Sequence, residues 1–310
     1  MTGHAGAVTT ILALDVGGTK LATGLVSPDG VVVAHDRVAT PQGADAAVLW
    51  DAVVALVDGL LARTGSSYDA VGIGCGGPMR WPDGVVSPLN IPGWRDFPLL
   101  ERVRERWAGD RPAAIHNDAV ALAVGEHRWG AGRGHDDVLG MVVSTGVGGG
   151  LVLGGRRVDG ASGNPGHVGH VVVEPDGPLC RCGGHGCVEA VARGPAIAAH
   201  AVALGWTGEA TGVAVAEGAR RRDVACLAAF ERGGRAVGIG IASAVALLDV
   251  EVVSVGGGIA QAGDAFWTPL RAALAEHGGM EFVRRCRVTP AELGPLAGLS
   301  GAAALVLDDL

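Results

Sequence analysis

The sequence predicts a two-domain α/β protein with its ligand site in a cleft. Three observations lead there. Short runs of β-branched and aliphatic residues alternate with stretches of helical periodicity along the chain. A strand, Gly-rich turn and second strand occur near residue 15 and again near residue 146, a weak internal repeat with one copy per half. A chain of 310 residues is also long enough to bury two sizeable cores.

Taken in order, residues 9–16 (TTILALDV) read as a strand ending at Asp15. Gly17, Gly18, Thr19 and Lys20 follow, then two more strands joined by a Pro-Asp-Gly turn at 28–30. A carboxylate at a strand end followed at once by Gly-Gly-Thr suits a phosphate hairpin. Backbone N–H groups approach phosphate oxygens, the hydroxyl donates, and the carboxylate holds a magnesium hydration shell. Lys20 is the only lysine of the chain, which sets it apart in this turn. A plain β-turn is the alternative.

Residues 44–64 place Val48, Val53, Leu56, Val57, Leu60 and Leu61 at helical spacing, with Gly65 to stop the helix. YDAVGIGCGGPM reads as a buried strand entering a Gly-Pro loop at 76–78. The loop VSPLNIPGW at 86–94, with two prolines, Trp94 and Asn90, is either ligand-facing or a compact surface loop. Residues 98–109 read as a short helix. Residues 113–132 read as a strand entering a helix, with Asn117 and Asp118 at the junction, where the Asp carries chemistry or caps the helix. DVLGMVV at 137–143 is a strand, and STGVGGG at 144–150 a second phosphate-type turn. It leads into another hairpin strand, not a helix, which disfavours a dinucleotide-binding dehydrogenase. Residues 189–240 are Ala-rich and helical. Residues 236–249 read as a further helix, 250–259 as a strand ending in Gly256, Gly257 and Gly258, FWTPLRAALAEH as a helix, and 296–307 as an apolar helix. With one phosphate-type turn per half, ATP is the natural ligand of the cleft.

The chain is organised around residues 163–189. His170, Cys180, Cys182 and Cys187 form a His-x9-Cys-x-Cys-x4-Cys array suited to tetrahedral zinc. One residue between Cys180 and Cys182 is poor geometry for a disulfide, and Gly183, Gly184 and Gly186 let the backbone wrap a small centre. Unrelated buried thiols or a redox pair are the alternative. Cys75, Cys226 and Cys286 are scattered singly, as small core residues are.

Composition excludes several classes. Despite 48% hydrophobic residues, no run of 18 apolar residues occurs, so no membrane span is expected. The first ten residues lack the features of a signal peptide, and a cytoplasmic location is expected. A net charge of -8 without a dense basic run argues against a nucleic-acid partner.

The Asp15–Lys20 hairpin, Asn117-Asp118, STGVGGG, Gly169-His170 and CRCGGHGCVE together resemble the ROK family of sugar kinases. They occur in the family's order over nearly the whole chain, and the zinc stretch is the most specific part. The resemblance implies the actin/hexokinase-like ATPase (ribonuclease H-like) fold with an interdomain cleft. It implies a small domain over 1–117 completed by a C-terminal helix at about 296–310, and a large domain over 118–295 with the zinc loop and an oligomerisation surface, in a homodimer or homotetramer. Because the first strand starts near residue 9, the helix-turn-helix of the family's repressors is not expected, and the kinase branch is implied.

Carried onto this chain, Asp118 is the general base on the sugar 6-hydroxyl and Asn117 holds a neighbouring hydroxyl. His170 binds zinc with one ring nitrogen and faces the sugar with the other side. Glu189 accepts from ring hydroxyls, and Gly77 and Asn90 line the sugar pocket. Thr19, Thr145, Gly146 and Gly148 cradle phosphates with the Asp15–Lys20 turn, and Gly256–Gly258 approach the nucleoside. The implied cofactors are ATP, Mg2+ and a structural Zn2+. Glucokinases of the family usually read Glu-x-Gly-His where this chain has His167-Val-Gly-His170. That departure resembles the N-acetylmannosamine kinases, whereas VSPLNIPGW resembles the glucokinase loop, so both sugars, and other amino sugars, stay open. A non-catalytic sugar sensor on the same fold is the competing class. A zinc hydrolase would need an open metal position, which four protein ligands deny.

Overall fold

The structure, a computed structural model, describes residues 9–308. The first eight residues, part of the stretch expected to lack a signal peptide, and the last two of the expected C-terminal helix lie outside that range. The chain forms two compact units. One comprises the chain up to Arg133, the segment Arg156–Pro165 and the chain from Glu292. The other comprises Gly134–Gly155 and Gly166–Ala291.

The first unit is built on a five-stranded sheet in the order Val32–Ala39, Lys20–Val26, Ile11–Val16, Ala70–Cys75, Ala113–Asn117. The first three strands are antiparallel and the last three parallel. Ile11–Val16 and Ala70–Cys75 are buried along their whole length. Both faces of these central strands are covered, so they read as continuous apolar runs without alternation. The register sets Asp15 beside Gly74, and Cys75 beside Asn117. The carboxyl ends of the parallel strands therefore bring Asp15 and Asn117 to one edge, the edge where open α/β sheets bind ligands.

The helix Ala46–Thr64 starts at Asp45, whose side chain accepts from the Val48 N–H at 2.9 Å, and stops at Gly65 in the left-handed region. It buries Leu49, Val53, Leu56, Val57 and Leu60, each worth about 1.5–3 kcal/mol when fully removed from water. Val48, expected on this face, is exposed, and Leu49 takes its place. The expected helix at 98–109 is a short α-helix, Leu99–Val103, continued by a π-helical turn, Arg104–Ala108.

The helix Asp118–Trp129 packs against the C-terminal helix Ala297–Asp308, which also covers the central strands. That packing keeps residues 118–133 with the first unit, whereas the sequence reading began a second domain at residue 118. Buried Glu126, near the end of this helix, accepts the N–H groups of Ala131 (2.8 Å), Glu292 (3.0 Å) and Leu293 (2.9 Å). One carboxylate thus fastens the chain where it leaves the unit and where it returns.

In the second unit, four strands lie in the order Val147–Leu153, Val138–Val143, Val252–Gly256, Arg287–Pro290. The first pair is antiparallel and the other two pairs parallel. The register sets Val142 beside Gly256, so the turn at 144–146 and the glycines at 256–258 share one edge. The expected helix at 236–249 is the second half of one helix, Val224–Leu248. Its glycines look like breakers in sequence, but they are contact points. A Cβ at Gly234 would stand 2.6 Å from the Phe266 carbonyl, and one at Gly238 would overlap the Leu270 carbonyl. They let the helix Asp264–His277 lie close alongside. None of the helices among the described residues is long and apolar enough to cross a membrane.

Candidate active site

In the first unit, the turn between Ile11–Val16 and Lys20–Val26 is tied by its own backbone. Gly17 N–H donates to the Lys20 carbonyl at 3.0 Å. Outside it, the Thr40 hydroxyl donates to the Gly17 carbonyl at 2.7 Å and the Gln42 amide to the Gly18 carbonyl at 2.9 Å. Gly18 lies so close to Asn90 that a Cβ would overlap it. The loop at 86–94 is thereby packed on the turn, and Thr19 stands at its exposed tip.

Asp15 is buried, with one oxygen 3.5 Å from Lys20 Nζ. Burial raises its pKa, against the lowering pull of the ammonium. Asp118 begins the helix Asp118–Trp129, and one of its oxygens accepts the Ala119 N–H at 2.8 Å. Its pKa is raised to about 6, first by desolvation and then by the negative charge of Asp15. A carboxylate poised there is about nine-tenths ionised at pH 7 yet basic enough to take a proton.

Asn117 caps the same helix, its side-chain oxygen accepting from Ala119 at 3.0 Å. This leaves the amide nitrogen free to point elsewhere, and a Cβ at Gly77 would stand 2.9 Å from it. Asp15, Gly18, Gly77, Asn90, Asn117 and Asp118 are thus gathered by the ends of three strands and one loop.

His116 went unnoticed in the sequence reading. It is fully buried beneath Asn117, and its Nδ1 accepts the Asn117 N–H at 2.8 Å. Nε2 lies 3.3 Å from Asp159, which Arg157 pairs at 2.6 Å. Burial, then the Arg157 charge, lowers the His116 pKa to about 4, so the ring is neutral at pH 7. The sequence signal available was a histidine inside an otherwise apolar strand, which alone does not separate a core residue from a site residue.

In the second unit, the turn at 144–146 is closed by Ser144 N–H donating to the Gly146 carbonyl at 2.8 Å, with Thr145 exposed at its tip. Gly148 follows in the strand Val147–Leu153, and Gly256 ends the neighbouring parallel strand before Gly257 and Gly258. Glu189, on the short helix Val188–Ala192, accepts the Val147 N–H through Oε2 at 2.9 Å. That contact was not foreseen, because 42 residues separate the partners. Arg193, at the end of the same helix, holds a buried Nη1 with no hydrogen-bond partner among the described residues.

The side-chain donors of His170, Cys180, Cys182 and Cys187 all lie within 4.8 Å of one another. Cys180 Sγ is 3.7 Å from His170 Nδ1, and Cys182 Sγ is 3.7 Å from Cys187 Sγ. A tetrahedron with bonds of about 2.0–2.3 Å has edges of about 3.3–3.8 Å, so the two 3.7 Å separations match edges of a zinc shell. None of the three cysteines is in a disulfide. The Gly184 N–H pulls the Cys182 pKa down, whereas burial and the adjacent thiols push Cys187 up to about 12. Three cysteines and a histidine gathered this closely could hold a divalent cation. Gly183 and Gly186 have positive φ, and a Cβ at Gly186 would overlap the Glu174 carbonyl. Gly184 has neither constraint.

His167 is exposed, its ring centroid 5.9 Å from that of His170 in an edge-on arrangement. Desolvation, then His170, lowers its pKa, so at pH 7 it is a neutral imidazole with one donor and one acceptor.

The sequence pattern of the ROK family matches residues 11–309. The glucokinase of Thermotoga maritima is 33% identical over 315 residues, covering 96% of each chain. The N-acetylmannosamine kinase of Pasteurella multocida is 36% identical over 302 residues, covering 96% of this chain and 97% of that one. The crystal structure of a ROK family glucokinase from Streptomyces griseus in complex with glucose and AMPPNP superposes with a TM-score of 0.83. It is 36% identical, covering 96% of this chain and 98% of that one. With such a neighbour, the fold is the two-domain hexokinase-like ATPase fold.

Proposed function

The chain belongs to the ROK family, and we propose that it transfers the γ-phosphoryl group of ATP to the 6-hydroxyl of a hexose or amino sugar. The observation that carries this reading is Asp118, a carboxylate at a strand–helix junction whose pKa stands near 6 beside a Gly-Gly-Thr turn. A sensor without catalysis has no need of a base so tuned.

Asp118 takes the proton of the attacking hydroxyl and holds that oxygen for in-line attack. Asn117, oriented by its capping bond, donates its amide to a neighbouring hydroxyl. Gly77 and Asn90 serve as sugar residues in the first unit, as His167, His170 and Glu189 do in the second. Gly17, Gly18, Thr19 and Lys20, with Thr145, Gly146 and Gly148, hold the phosphates, while Gly256, Gly257 and Gly258 lie against the nucleoside. Asp15, a buried carboxylate with one cationic neighbour, suits the hydration shell of Mg2+. When bound, that ion neutralises phosphate charge. The Cys3His cluster fits zinc in a structural role, since four protein ligands close the shell. The zinc fixes the loop carrying His170 and Glu189.

His167 supports the amino-sugar reading beside the glucose one. Where a carboxylate only accepts, a neutral imidazole also donates, which suits an amide carbonyl on the sugar. Coupled ADP release across glucose, mannose, N-acetylmannosamine and other amino sugars tests the proposal. ADP formation that tracks one hexose and is lost in Asp118→Asn is the expected result. No sugar-dependent ADP release across the panel would overturn it.

A further inference from the structure

Glu189 touches the phosphate turn of the second unit, and this contact goes beyond its role as a sugar ligand. We propose that Glu189 is a positioning residue for the nucleotide: through Oε2 it holds the backbone of the turn at 144–147, leaving Oε1 for a sugar hydroxyl. This rests on the kinase reading above.

The turn is held from one segment at two points. At one end, the Val147 N–H donates to Glu189 Oε2 at 2.9 Å. At the other, Gly194 N–H donates to the Ser144 carbonyl at 2.8 Å. The segment is itself fixed. Cys187 precedes its first helix, forms a β-bridge with Val172, and the next residue, Val188, donates to the Val171 carbonyl at 3.0 Å. Gly146 leaves room for the carboxylate, since a Cβ there would stand 2.9 Å from Oε2. Oε1 accepts no hydrogen bond among the described residues.

A charged acceptor makes the bond to Val147 stronger than a neutral one would. Its effect is to keep the turn in one conformation before nucleotide arrives, so the ordering cost is not met on binding. A neutral acceptor in its place still receives the Val147 N–H and removes a negative charge beside phosphate, so for the nucleotide the weaker bond and the lost repulsion offset each other. This separates the two roles of one side chain. Glutamine keeps the acceptor for Val147, whereas alanine removes it.

The test is calorimetric titration of the zinc-loaded protein with AMPPNP and magnesium, without sugar. Glu189→Ala is expected to weaken AMPPNP by about three- to tenfold, the range for one lost hydrogen bond. Glu189→Gln is expected to stay within about twofold of wild type for nucleotide while its sugar KM rises. Amide exchange at Val147 reads the same bond directly: protected in wild type and Glu189→Gln, fast in Glu189→Ala. Unchanged AMPPNP affinity in Glu189→Ala, equal loss in Glu189→Gln, or an unprotected Val147 amide in wild type overturns the inference. Thr145→Ala keeps its failure apart from that of the kinase reading. If Thr145→Ala weakens nucleotide and Glu189→Ala does not, only the role of Glu189 falls. If neither does, the turn is not the phosphate site and both fall.

Discussion

The two Gly-rich hairpins share a backbone plan and differ in where their charge comes from. In the first, Asp15 and Lys20 stand on the hairpin's own two strands, 3.5 Å apart. In the second, the hairpin carries no ionisable residue between Val138 and Leu153, and its carboxylate, Glu189, arrives from a distant helix. A turn with local charge is complete as soon as it pairs. A turn with imported charge depends on the loop that delivers it, here the loop built around the Cys3His cluster.

The largest effect is expected beside the first hairpin. Asp118→Asn should lower kcat by about 10²–10⁴ while sugar affinity stays within about tenfold, since only the proton acceptor is removed. Steady-state kinetics with equilibrium sugar binding checks this, and a kcat near wild type would remove Asp118 as the base.

Metal removal attacks the second hairpin's support. The purified protein should hold about one zinc per chain. Outer-shell partners alone are worth about 10–100-fold in metal affinity, so Cys182→Ser should cost at least that and lower Tm and sugar affinity together. Metal analysis finding no zinc in fresh protein would end the zinc assignment.

His167→Glu should shift the ratio of kcat/KM for glucose over N-acetylmannosamine upward by roughly ten- to a hundredfold, the worth of one charge-assisted hydrogen bond. An unchanged ratio would take His167 out of the choice of sugar.

The smallest effect is a shift in pH profile. The acid limb of kcat/KM should have its midpoint near pH 6, the value to which Asp118 is raised. Asp15→Asn removes the negative charge that contributes to this rise, so the residual activity should show a midpoint at lower pH. The same raised pKa costs stability. Between 3.8 and about 6 the folded chain holds the proton more tightly than the unfolded one, so the unfolding free energy falls as pH rises through that window. A midpoint that does not move in Asp15→Asn would show that burial alone tunes Asp118.

Read as a sequence, the chain already determined whatever depends on near neighbours. The Asp15–Lys20 turn, the Asn117-Asp118 junction and the Cys-x-Cys-x4-Cys spacing are local patterns, because turn geometry and ligand reach act over a few residues. Gly65 as a helix stop is local in the same way. Only the tertiary structure decided the rest. Gly234 and Gly238 continue a helix because the helix Asp264–His277 needs to approach it closely, and no local rule states that need. Residues 118–133 join the first unit because their helix packs on the C-terminal helix and Glu126 anchors the returning chain. The raised pKa of Asp118 requires burial together with Asp15, which lies 103 positions earlier in the chain. The bond from Val147 to Glu189 requires the helix that follows the Cys3His cluster to pack against the turn at 144–146. Burial, close approach and electrostatic coupling act through space, and distance along the chain carries no record of them.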